Sequence, residues 1–415
     1  MRLYIPLDRE AHGIQLIGVK GTRKSSIIRN LVYQAYERSW PVAFLDMARE
    51  YLPEFYQKGD YLIDFGDERG CRWMTSREAI DEPHAMPISE AAYPDHPGRT
   101  TFFFQDHARA IFAYLVGVHH PTTSQLAHWF TRPTLLDDLL KGTEHAETLT
   151  KNSPEQRAGI LGTLNHVGRT LRWLPDGDGD REFSVTEWCK DRKGAIFLSS
   201  SPYNFPALRP LHSMILDMLL LGVQTYPGPV LIVADEIGVF QRCPQLGTSA
   251  ATIRKSGAVV VLAYQSYSQL EDTYGDKMAD AISSNNYTNI VLRNTSPRSA
   301  EYCSKLLGMP QERERIRESR SAWNLMFHTP HKTYSTERPM VAPVTPGEIQ
   351  SLEDGEGYLS AAGRITKIQV DYLPPVVRAP KLIERIVKPG PAVVPNEPVL
   401  RPSRYGRQKS LPLAN

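Results

Sequence analysis

Residues 14–46 have the pattern of a strand, a glycine-containing loop, a helix and a second strand. Ile14–Ile17 is a short apolar run, apolar residues then recur at helical spacing from Ile27 to Tyr36, and Val42–Leu45 is a second apolar run. Parallel strands joined by a helix need helices covering the faces of their sheet. The unit therefore predicts an α/β fold with a mainly parallel, twisted sheet.

The loop of this unit, Gly18-Val-Lys-Gly-Thr-Arg-Lys-Ser25, nearly matches the phosphate-binding pattern GxxxxGK[ST]. In such loops backbone N–H groups surround phosphate oxygens, a lysine neutralises the β- and γ-phosphates, and a hydroxyl holds Mg²⁺. Ser25 is accordingly also a candidate magnesium ligand. The candidate nucleotide-binding residues are Gly18, Gly21, Thr22, Lys24 and Ser25.

One position departs from the pattern. Arg23 stands where the pattern has glycine, close to the expected phosphates, so its side chain has to point away from the loop. An ordinary strand-to-helix turn that only resembles the motif is the alternative interpretation of the octet.

Two later strands end in polar residues suited to nucleotide hydrolysis. The apolar run Val230–Ala234 is followed by Asp235, a candidate Mg²⁺ ligand, and by Glu236, which can polarise the attacking water. The run Val259–Ala263 leads to Gln265, whose amide suits sensing of the γ-phosphate. Taken alone, Asp235 and Glu236 could equally be a solvated strand end, and Gln265 could be a polar cap of its strand. Together with the loop they favour an ATP and Mg²⁺ site.

A helical region interrupts the alternation of strands and helices. From about residue 106 to residue 174 the sequence has helical periodicity and almost no strand pattern. The alternating charges of 311–320 predict a solvated helix face, and a late hairpin is predicted to turn at Gly363-Arg364. We predict a nucleotide-binding domain in two parts, residues 1–104 and residues 176–375. An all-helical insertion at residues 105–175 separates the two parts, and a Pro/Arg-rich disordered tail follows at residues 376–415.

The chain resembles the type IV secretion coupling proteins, the TraD/TrwB-like conjugative DNA-transfer ATPases, over roughly residues 1–375. The resemblance rests on the order of the motifs and on several short stretches, which are Ala207-Leu-Arg-Pro-Leu211, Arg254-Lys-Ser-Gly257, Tyr264-Gln-Ser-Tyr-Ser-Gln-Leu270 and the segment from Pro175 to Trp188. It implies a RecA-like P-loop domain carrying an all-alpha domain, assembled as a hexameric ring that uses ATP to move DNA toward a secretion channel.

The resemblance also implies roles for individual residues. Lys24 and Ser25 would bind phosphate and Mg²⁺, Asp235 and Glu236 would be the paired acidic residues, and Gln265 would be the sensor. Arg293, at the end of a further apolar run, lies close to the position of the arginine finger, a catalytic arginine supplied across a subunit interface. A surface ion pair is the alternative role for Arg293.

Any basic surface for nucleic acid must be local, since 48 Lys and Arg balance 46 Asp and Glu to a net charge of +2. We expect a sequence-independent contact with single-stranded DNA. Its candidates are Arg254 and Lys255, together with Arg157, Arg169 and Arg172, which we place on one face of a helix in the insertion. A solvated basic face would have the same pattern.

Four cysteines without a CxxC pair exclude a disulfide scaffold and fit a reducing compartment. We find neither a signal peptide nor the membrane segment typical of many family members, so we expect a cytoplasmic protein held at the inner membrane by partners. The resemblance implies relaxase or relaxosome proteins and the secretion channel as those partners. The leading function is an ATP-hydrolysing DNA motor. The alternative, favoured by Arg23, is an adaptor that keeps the fold and does not hydrolyse ATP.

Overall fold

The computed structural model describes residues 12–95, 102–149, 153–175, 181–248, 250–309, 311–312, 315–321, 331–337, 340–361 and 363–385. The strands are β1 (Ile14–Ile17), β2 (Val42–Asp46), β3 (Tyr61–Ile63), β4 (Arg72–Trp73), β5 (Glu182–Phe183), β6 (Ile196–Ser199), β7 (Val230–Ala234), β8 (Ala258–Tyr264), β9 (Thr288–Leu292), β10 (Gln311–Glu312), β11 (Arg315–Ser321), β12 (His331–Glu337), β13 (Met340–Val341), β14 (Glu356–Ala361) and β15 (Arg364–Gln369). The helices are α1 (Lys24–Glu37), α2 (Leu52–Phe55), α3 (Glu82–Ala92), α4 (Phe102–Tyr114), α5 (Thr123–Thr131), α6 (Pro133–Leu140), α7 (Glu144–Thr148), α8 (Pro154–Leu171), α9 (Val185–Asp191), α10 (Phe205–Thr225), α11 (Pro244–Thr248), α12 (Ala250–Ser256), α13 (Tyr267–Tyr274), α14 (Asp276–Ser284), α15 (Pro297–Leu307) and α16 (Pro346–Gln350).

Nine of the described strands form one sheet in the order β15-β14-β9-β1-β8-β7-β2-β6-β3. The seven strands from β9 to β3 run parallel, and the hairpin β14–β15 adds two antiparallel strands beside β9. The predicted α/β fold with a mainly parallel sheet is confirmed. The late hairpin is also present, but its turn precedes Arg364, which is already the first residue of β15 and pairs with Ala361. Because β8 lies between β1 and β7, the carboxyl ends of these three strands meet at one edge.

Apolar side chains on both faces explain why the sheet is central. Along β2, Val42 and Phe44 join one core cluster while Ala43 and Leu45 join the other. Helix α1 packs its buried residues on the first face, and the long helix α10 packs on the second. Strands covered on both faces read as continuous apolar runs, which is why their positions could be predicted from the sequence.

The helical insertion lies between β4 and β5, which pair with each other in parallel. The buried carboxylate of Glu78 links the chain that enters the insertion after β4 to the chain that leaves it after β5. It accepts hydrogen bonds from Trp73 Nε1 at 2.6 Å and from the Val185 N–H at 2.8 Å. The helices begin with α3, ahead of the predicted start at residue 105. Helix α3 contains Pro87 and has another proline in its first turn, and these prolines conceal its helical character in the sequence.

Two segments differ from the sequence prediction. Residues 315–321 form strand β11, antiparallel to β12, where a solvated helix face was predicted. The partner strand begins ten positions after β11 ends, and alternation of charge along the chain does not reveal such pairing. Residues 376–385, part of the predicted disordered tail, make ordered backbone contacts, for example from the Arg378 N–H to the Pro53 carbonyl at 2.8 Å. Residues 386–415 lie outside the described residues.

Among the described helices, none combines the length and the apolar character needed to cross a membrane.

Candidate nucleotide-binding site

An open cleft of about 1050 Å³ lies at the sheet edge where β1, β7 and β8 end. Most of the sequence-predicted nucleotide residues line it, namely Gly21, Lys24, Ser25, Asp235, Glu236 and Gln265. Gly18 and Thr22 are buried within the loop wall behind them. The tertiary structure therefore brings together residues that are more than 200 positions apart in the sequence.

The phosphate-binding loop is anchored to the neighbouring strands. The Gly18 N–H donates to the Tyr264 carbonyl at 3.3 Å, and the Val19 N–H donates to the Arg293 carbonyl at 3.0 Å. A Cβ atom at Gly18 would lie 2.8 Å from Leu292 Cβ, so this close packing requires glycine. Lys24 Nζ donates to the Gly18 carbonyl and, at 3.3 Å, to the Val19 carbonyl. The ammonium group thus lies inside the loop, where phosphate oxygens would be bound.

Arg23 retains the backbone conformation that the replaced glycine would adopt. Its φ is 74°, in the left-handed region, and its Nη1 donates to the Val370 carbonyl at 2.6 Å, close to Gly355. The side chain therefore runs to the end of the β14–β15 hairpin. A non-glycine residue in this conformation costs about 1–2 kcal/mol, which the hydrogen bond partly offsets. Arg23 consequently leaves the loop geometry intact.

Replacing Arg23 by glycine is expected to leave the ATP turnover number within about threefold of the native value, because the loop backbone already has the glycine conformation. The free energy of unfolding should change by less than about 1 kcal/mol, since relief of strain and loss of the hydrogen bond oppose each other. Arg23→Ala is the control, because it loses the bond and keeps the strain, and it should be less stable by about 1–2 kcal/mol. Steady-state hydrolysis and denaturant unfolding measure both effects. A gain in turnover of tenfold or more in Arg23→Gly would show that the arginine suppresses hydrolysis.

Tyr51, which sequence reasoning missed, contacts one of the candidate magnesium ligands. Its hydroxyl donates to Asp235 Oδ2 at 2.8 Å. The Asp46 carboxylate positions Tyr51 by accepting hydrogen bonds from the N–H groups of residues 50–52 at the start of α2. Burial raises the pKa of Asp46 to about 6. The only sequence signal was the placement of Asp46 at the end of a strand.

Glu236 has the geometry of a group that can hold a water molecule. Its Oε2 accepts a hydrogen bond from Gln265 Nε2 at 2.8 Å, while Oε1 is buried and has no partner among the described residues. Its backbone is left-handed, with φ of 63°, and such strain is typical of functional positions. A buried carboxylate oxygen without a partner is costly, so a ligand that donates a proton there is favoured.

Burial and charge act against each other in the cleft. Burial raises the pKa of both Asp235 and Glu236, although Lys24 opposes the rise at each. Burial also lowers the pKa of Lys24. The negative charge of Glu236, and to a smaller extent that of Asp235, opposes this decrease. A carboxyl whose pKa lies above its ordinary value is better matched to proton transfer near neutral pH than a solvated one.

The donor set fits Mg²⁺ bound together with a nucleotide. In the described part of the chain no group of three or more His, Cys, Asp or Glu side chains could hold a metal by itself. Mg²⁺ commonly uses one or two protein oxygens and completes its six ligands with phosphates and water. The Ser25 hydroxyl and the Asp235 carboxylate, which line the same cleft, supply oxygens of that kind.

Arg293 is not among the residues that line the cleft, although its ion-pair partner Asp354 is. Its Nη2 forms an ion pair with Asp354, and its Nη1 donates to the Leu352 carbonyl at 3.3 Å. These contacts match the surface ion pair that was the alternative in the sequence. Its role as an arginine finger stays a prediction.

The candidate DNA-binding arginines of the insertion do not share one solvent face. Arg157 forms an ion pair with Asp137 at 2.8 Å and also donates to the Leu149 carbonyl, so it is engaged between helices. Arg169 and Arg172 are exposed. The placement of all three on one face was wrong, because twelve residues at about 100° each rotate Arg169 by about 120° from Arg157.

The remaining DNA candidates are accessible. Arg254 and Lys255 are both exposed on the short helix α12. Beside Arg172 the structure adds Trp173, which is 53% exposed, packs against Phe65 and has the Arg172 guanidinium 5.3 Å from its ring centre. Aromatic rings with adjacent arginines are typical of surfaces on which single-stranded bases stack.

Comparison with known proteins gives the following relatives. Residues 2–371 match the family described as the type IV secretion-system coupling protein DNA-binding domain. Coupling protein TraD of Escherichia coli (strain K12) is 26% identical over 411 residues, which cover 92% of this chain and 56% of TraD. The chain thus spans little more than half the length of that relative.

Solved structures share the fold. The unbound bacterial conjugative coupling protein TrwBdeltaN70 superposes with a TM-score of 0.79 at 24% identity, over 92% of this chain and 89% of that one. TrwB in complex with ADP and Mg²⁺ gives a TM-score of 0.77 at 24% identity, over 92% and 89% of the two chains. VirB4 of Thermoanaerobacter pseudethanolicus gives 0.54 at 13% identity, over 90% and 92%.

Proposed function

The chain belongs to the type IV secretion-system coupling protein DNA-binding domain family, and on that premise we propose that it is an ATP-hydrolysing motor that moves DNA toward a secretion channel. The observation that carries the hydrolytic part is the geometry of Glu236. One of its oxygens is held by Gln265, and the other is buried without a partner in the described chain, in the same cleft as Lys24. This arrangement favours phosphoryl transfer to water.

Each residue of the cleft has a separate part in the proposed reaction. The backbone N–H groups of the loop and Lys24 bind and orient the phosphates, and Glu236 orients the attacking water while Gln265 fixes the position of its carboxylate. Mg²⁺, held by Ser25 and Asp235, would supply charge neutralisation between the β- and γ-phosphates. Solved complexes of TrwB contain ADP with Mg²⁺ and non-hydrolysable analogues of ATP and GTP, which supports ATP as the nucleotide.

The assembly and the partners follow from family membership and are part of the proposal. We place the chain in a hexameric ring around DNA, with Arg293 offered to the cleft of a neighbouring subunit after release from Asp354. Relaxase or relaxosome proteins and the channel proteins are the proposed partners, at the cytoplasmic side of the inner membrane. The contact of Arg23 with the Val370 carbonyl supports the motor over the adaptor alternative, because it holds the guanidinium at the wall of the cleft and not within the phosphate loop.

The direct test is ATP hydrolysis by the purified chain with Mg²⁺, measured with and without single-stranded DNA. A motor predicts turnover that rises when DNA is added and disappears when Mg²⁺ is chelated. ATP binding without turnover in either condition, at concentrations where the chain is oligomeric, would contradict the motor and favour the adaptor.

Replacing both Arg169 and Arg172 by alanine is expected to weaken single-stranded DNA binding and to reduce its dependence on salt. Two lost phosphate contacts should lower the slope of log K against log salt by about 1.4. Fluorescence anisotropy over a salt series measures the slope. Lys58→Ala with Lys193→Ala is the matched control, since both lysines are exposed where β3 and β6 begin, at the opposite edge of the sheet. Equal slopes for the two double variants would rule out this face as the DNA contact.

A further inference from the structure

The carboxylate of Asp235 has a buried tyrosine as its neighbour. The Tyr51 hydroxyl lies 2.8 Å from Asp235 Oδ2, and it is the donor, because an ionised carboxylate can only accept hydrogen bonds. Tyr51 itself is 1% exposed and is not among the residues that line the cleft. Its route to a bound nucleotide or metal therefore passes through Asp235.

The Tyr51 hydroxyl is held in place through both the backbone and the ring. The Asp46 carboxylate accepts hydrogen bonds from the N–H groups of Tyr51 and Leu52, each at 2.8 Å. The tyrosine ring stacks on Phe44 with 5.9 Å between ring centres, and Phe44 stacks on Phe197 with 4.6 Å between ring centres. Both phenylalanines are fully buried in the core, which is closely packed and resists displacement of its side chains. The hydroxyl is thus a fixed donor.

The hydrogen bond from Tyr51 restricts the orientation of the Asp235 side chain. Asp235 directly follows strand β7, so the sheet also fixes the start of this side chain. Rotation of the carboxylate would break the bond to Oδ2 and leave the buried phenol without its acceptor, which is unfavourable. The carboxylate therefore keeps one orientation relative to the cleft.

Mg²⁺ and Ca²⁺ differ in what they require of such a carboxylate. Mg²⁺ demands near-ideal octahedral geometry, with oxygen ligands at about 2.0–2.1 Å. Ca²⁺ accepts about six to eight oxygen ligands at about 2.3–2.6 Å in variable geometry, and its carboxylate ligands bind through one or both oxygens. Because selectivity between the two ions depends on the number and the flexibility of the ligands, a carboxylate with a fixed orientation favours Mg²⁺.

We propose that Tyr51 is a positioning residue that fixes the orientation of the Asp235 carboxylate, so that the cleft prefers Mg²⁺ to the larger Ca²⁺. The proposal rests on the proposed function, because it requires that the cleft bind a nucleotide together with a divalent cation. It adds to that function a residue outside the lining of the cleft that determines metal specificity.

Binding of ADP with different cations separates this role from a structural one. ADP is titrated calorimetrically into the native chain and into Tyr51→Phe, in the presence of Mg²⁺, of Ca²⁺ or of EDTA. Phenylalanine keeps the ring and its stacking but removes the hydroxyl, so Tyr51→Phe should bind ADP with Mg²⁺ about 3- to 10-fold more weakly. Its affinity for ADP with Ca²⁺ or with EDTA should stay within about twofold of the native value.

Tyr33→Phe is the matched control for this substitution. The Tyr33 hydroxyl also donates to a carboxylate, that of Glu54, and neither of these residues lines the cleft. We expect Tyr33→Phe to bind ADP as the native chain does in all three conditions. A second control repeats Tyr51→Phe in an Asp235→Ala background, where it should have no further effect on binding of ADP with Mg²⁺.

Several results would overturn the proposal. Native affinity for ADP with Mg²⁺ in Tyr51→Phe would show that the hydroxyl does not position the metal ligand. An equal loss with Mg²⁺, with Ca²⁺ and with EDTA, or a loss that persists in the Asp235→Ala background, would show that Tyr51 only supports the fold around the cleft. A native chain that binds ADP equally well with either cation would contradict the metal preference. A native chain that binds no ADP in any condition would instead contradict the proposed function itself.

Discussion

Glu236→Gln is expected to lower the ATP turnover number by about 10²–10⁴-fold while ATP affinity stays within about threefold of the native value. The substitution keeps the volume and the hydrogen-bonding length of the side chain but removes the carboxylate that would accept a proton from water. Binding should survive because the loop and Lys24, which hold the phosphates, are unchanged. Single-turnover hydrolysis and equilibrium binding of ATP measure the two quantities separately.

Glu50→Gln is the matched control for this change. Glu50 lines the same cleft and undergoes the same neutralisation, but its carboxylate pairs with Arg29 at 3.1 Å. We expect turnover within about threefold of native, since a partly exposed ion pair contributes little. Native turnover in Glu236→Gln would show that another group activates the water.

Lys24→Ala is expected to reduce both ATP affinity and turnover, the latter by about 10²–10³-fold, as is typical when one charged donor to a transition state is removed. The ammonium group is the one cation that the structure places inside the loop among its described side chains, through its bonds to the Gly18 and Val19 carbonyls. Its loss also leaves Asp235 and Glu236 without the charge that opposes the rise in their pKa. Titration with ATP and steady-state hydrolysis are the measurements.

Lys20→Ala provides the comparison within the same loop. Lys20 lines the cleft but is exposed, so solvent screens its charge, and we expect turnover within about fivefold of native. Unfolding midpoints are measured for both variants, because Lys24 also satisfies loop carbonyls. Equal effects of the two substitutions would contradict a specific role for Lys24, and native ATP affinity in a folded Lys24→Ala would contradict its contact with phosphate.

The two catalytic variants differ in what they preserve. Glu236→Gln should hold ATP without hydrolysing it, whereas Lys24→Ala should hold it weakly. Their difference therefore separates the proton-transfer step from phosphate binding. In a motor, DNA affinity depends on the bound nucleotide. Addition of ATP should therefore change the DNA affinity of Glu236→Gln but not that of Lys24→Ala.

The residues of the site that could be predicted from sequence are those set by local spacing. The loop from Gly18 to Ser25 needs a strand before it and a helix after it, and the polar residues Asp235 and Gln265 follow buried apolar runs directly. Since parallel strands end at a common edge, the strand assignments placed these groups on one edge of the sheet. The strand order β1-β8-β7 then brought them together. The apolar runs themselves identify strands covered on both faces.

What remained undetermined depends on contacts between distant segments. Tyr51 reaches Asp235 across 184 positions, and Arg23 reaches Val370 across 347. Residues 371–385 form one wall of the cleft although they are rich in proline, a composition that is also typical of disorder. Helical periodicity likewise predicts which face of a helix Arg157 occupies, but it does not predict the ion pair of Arg157 with Asp137. Such partners are selected by which elements pack together, and packing is decided by the whole core. The sequence alone thus determined the class of fold and the chemistry at the strand ends. Only the tertiary structure decided how the loop tolerates Arg23 and which late residues form a wall of the cleft.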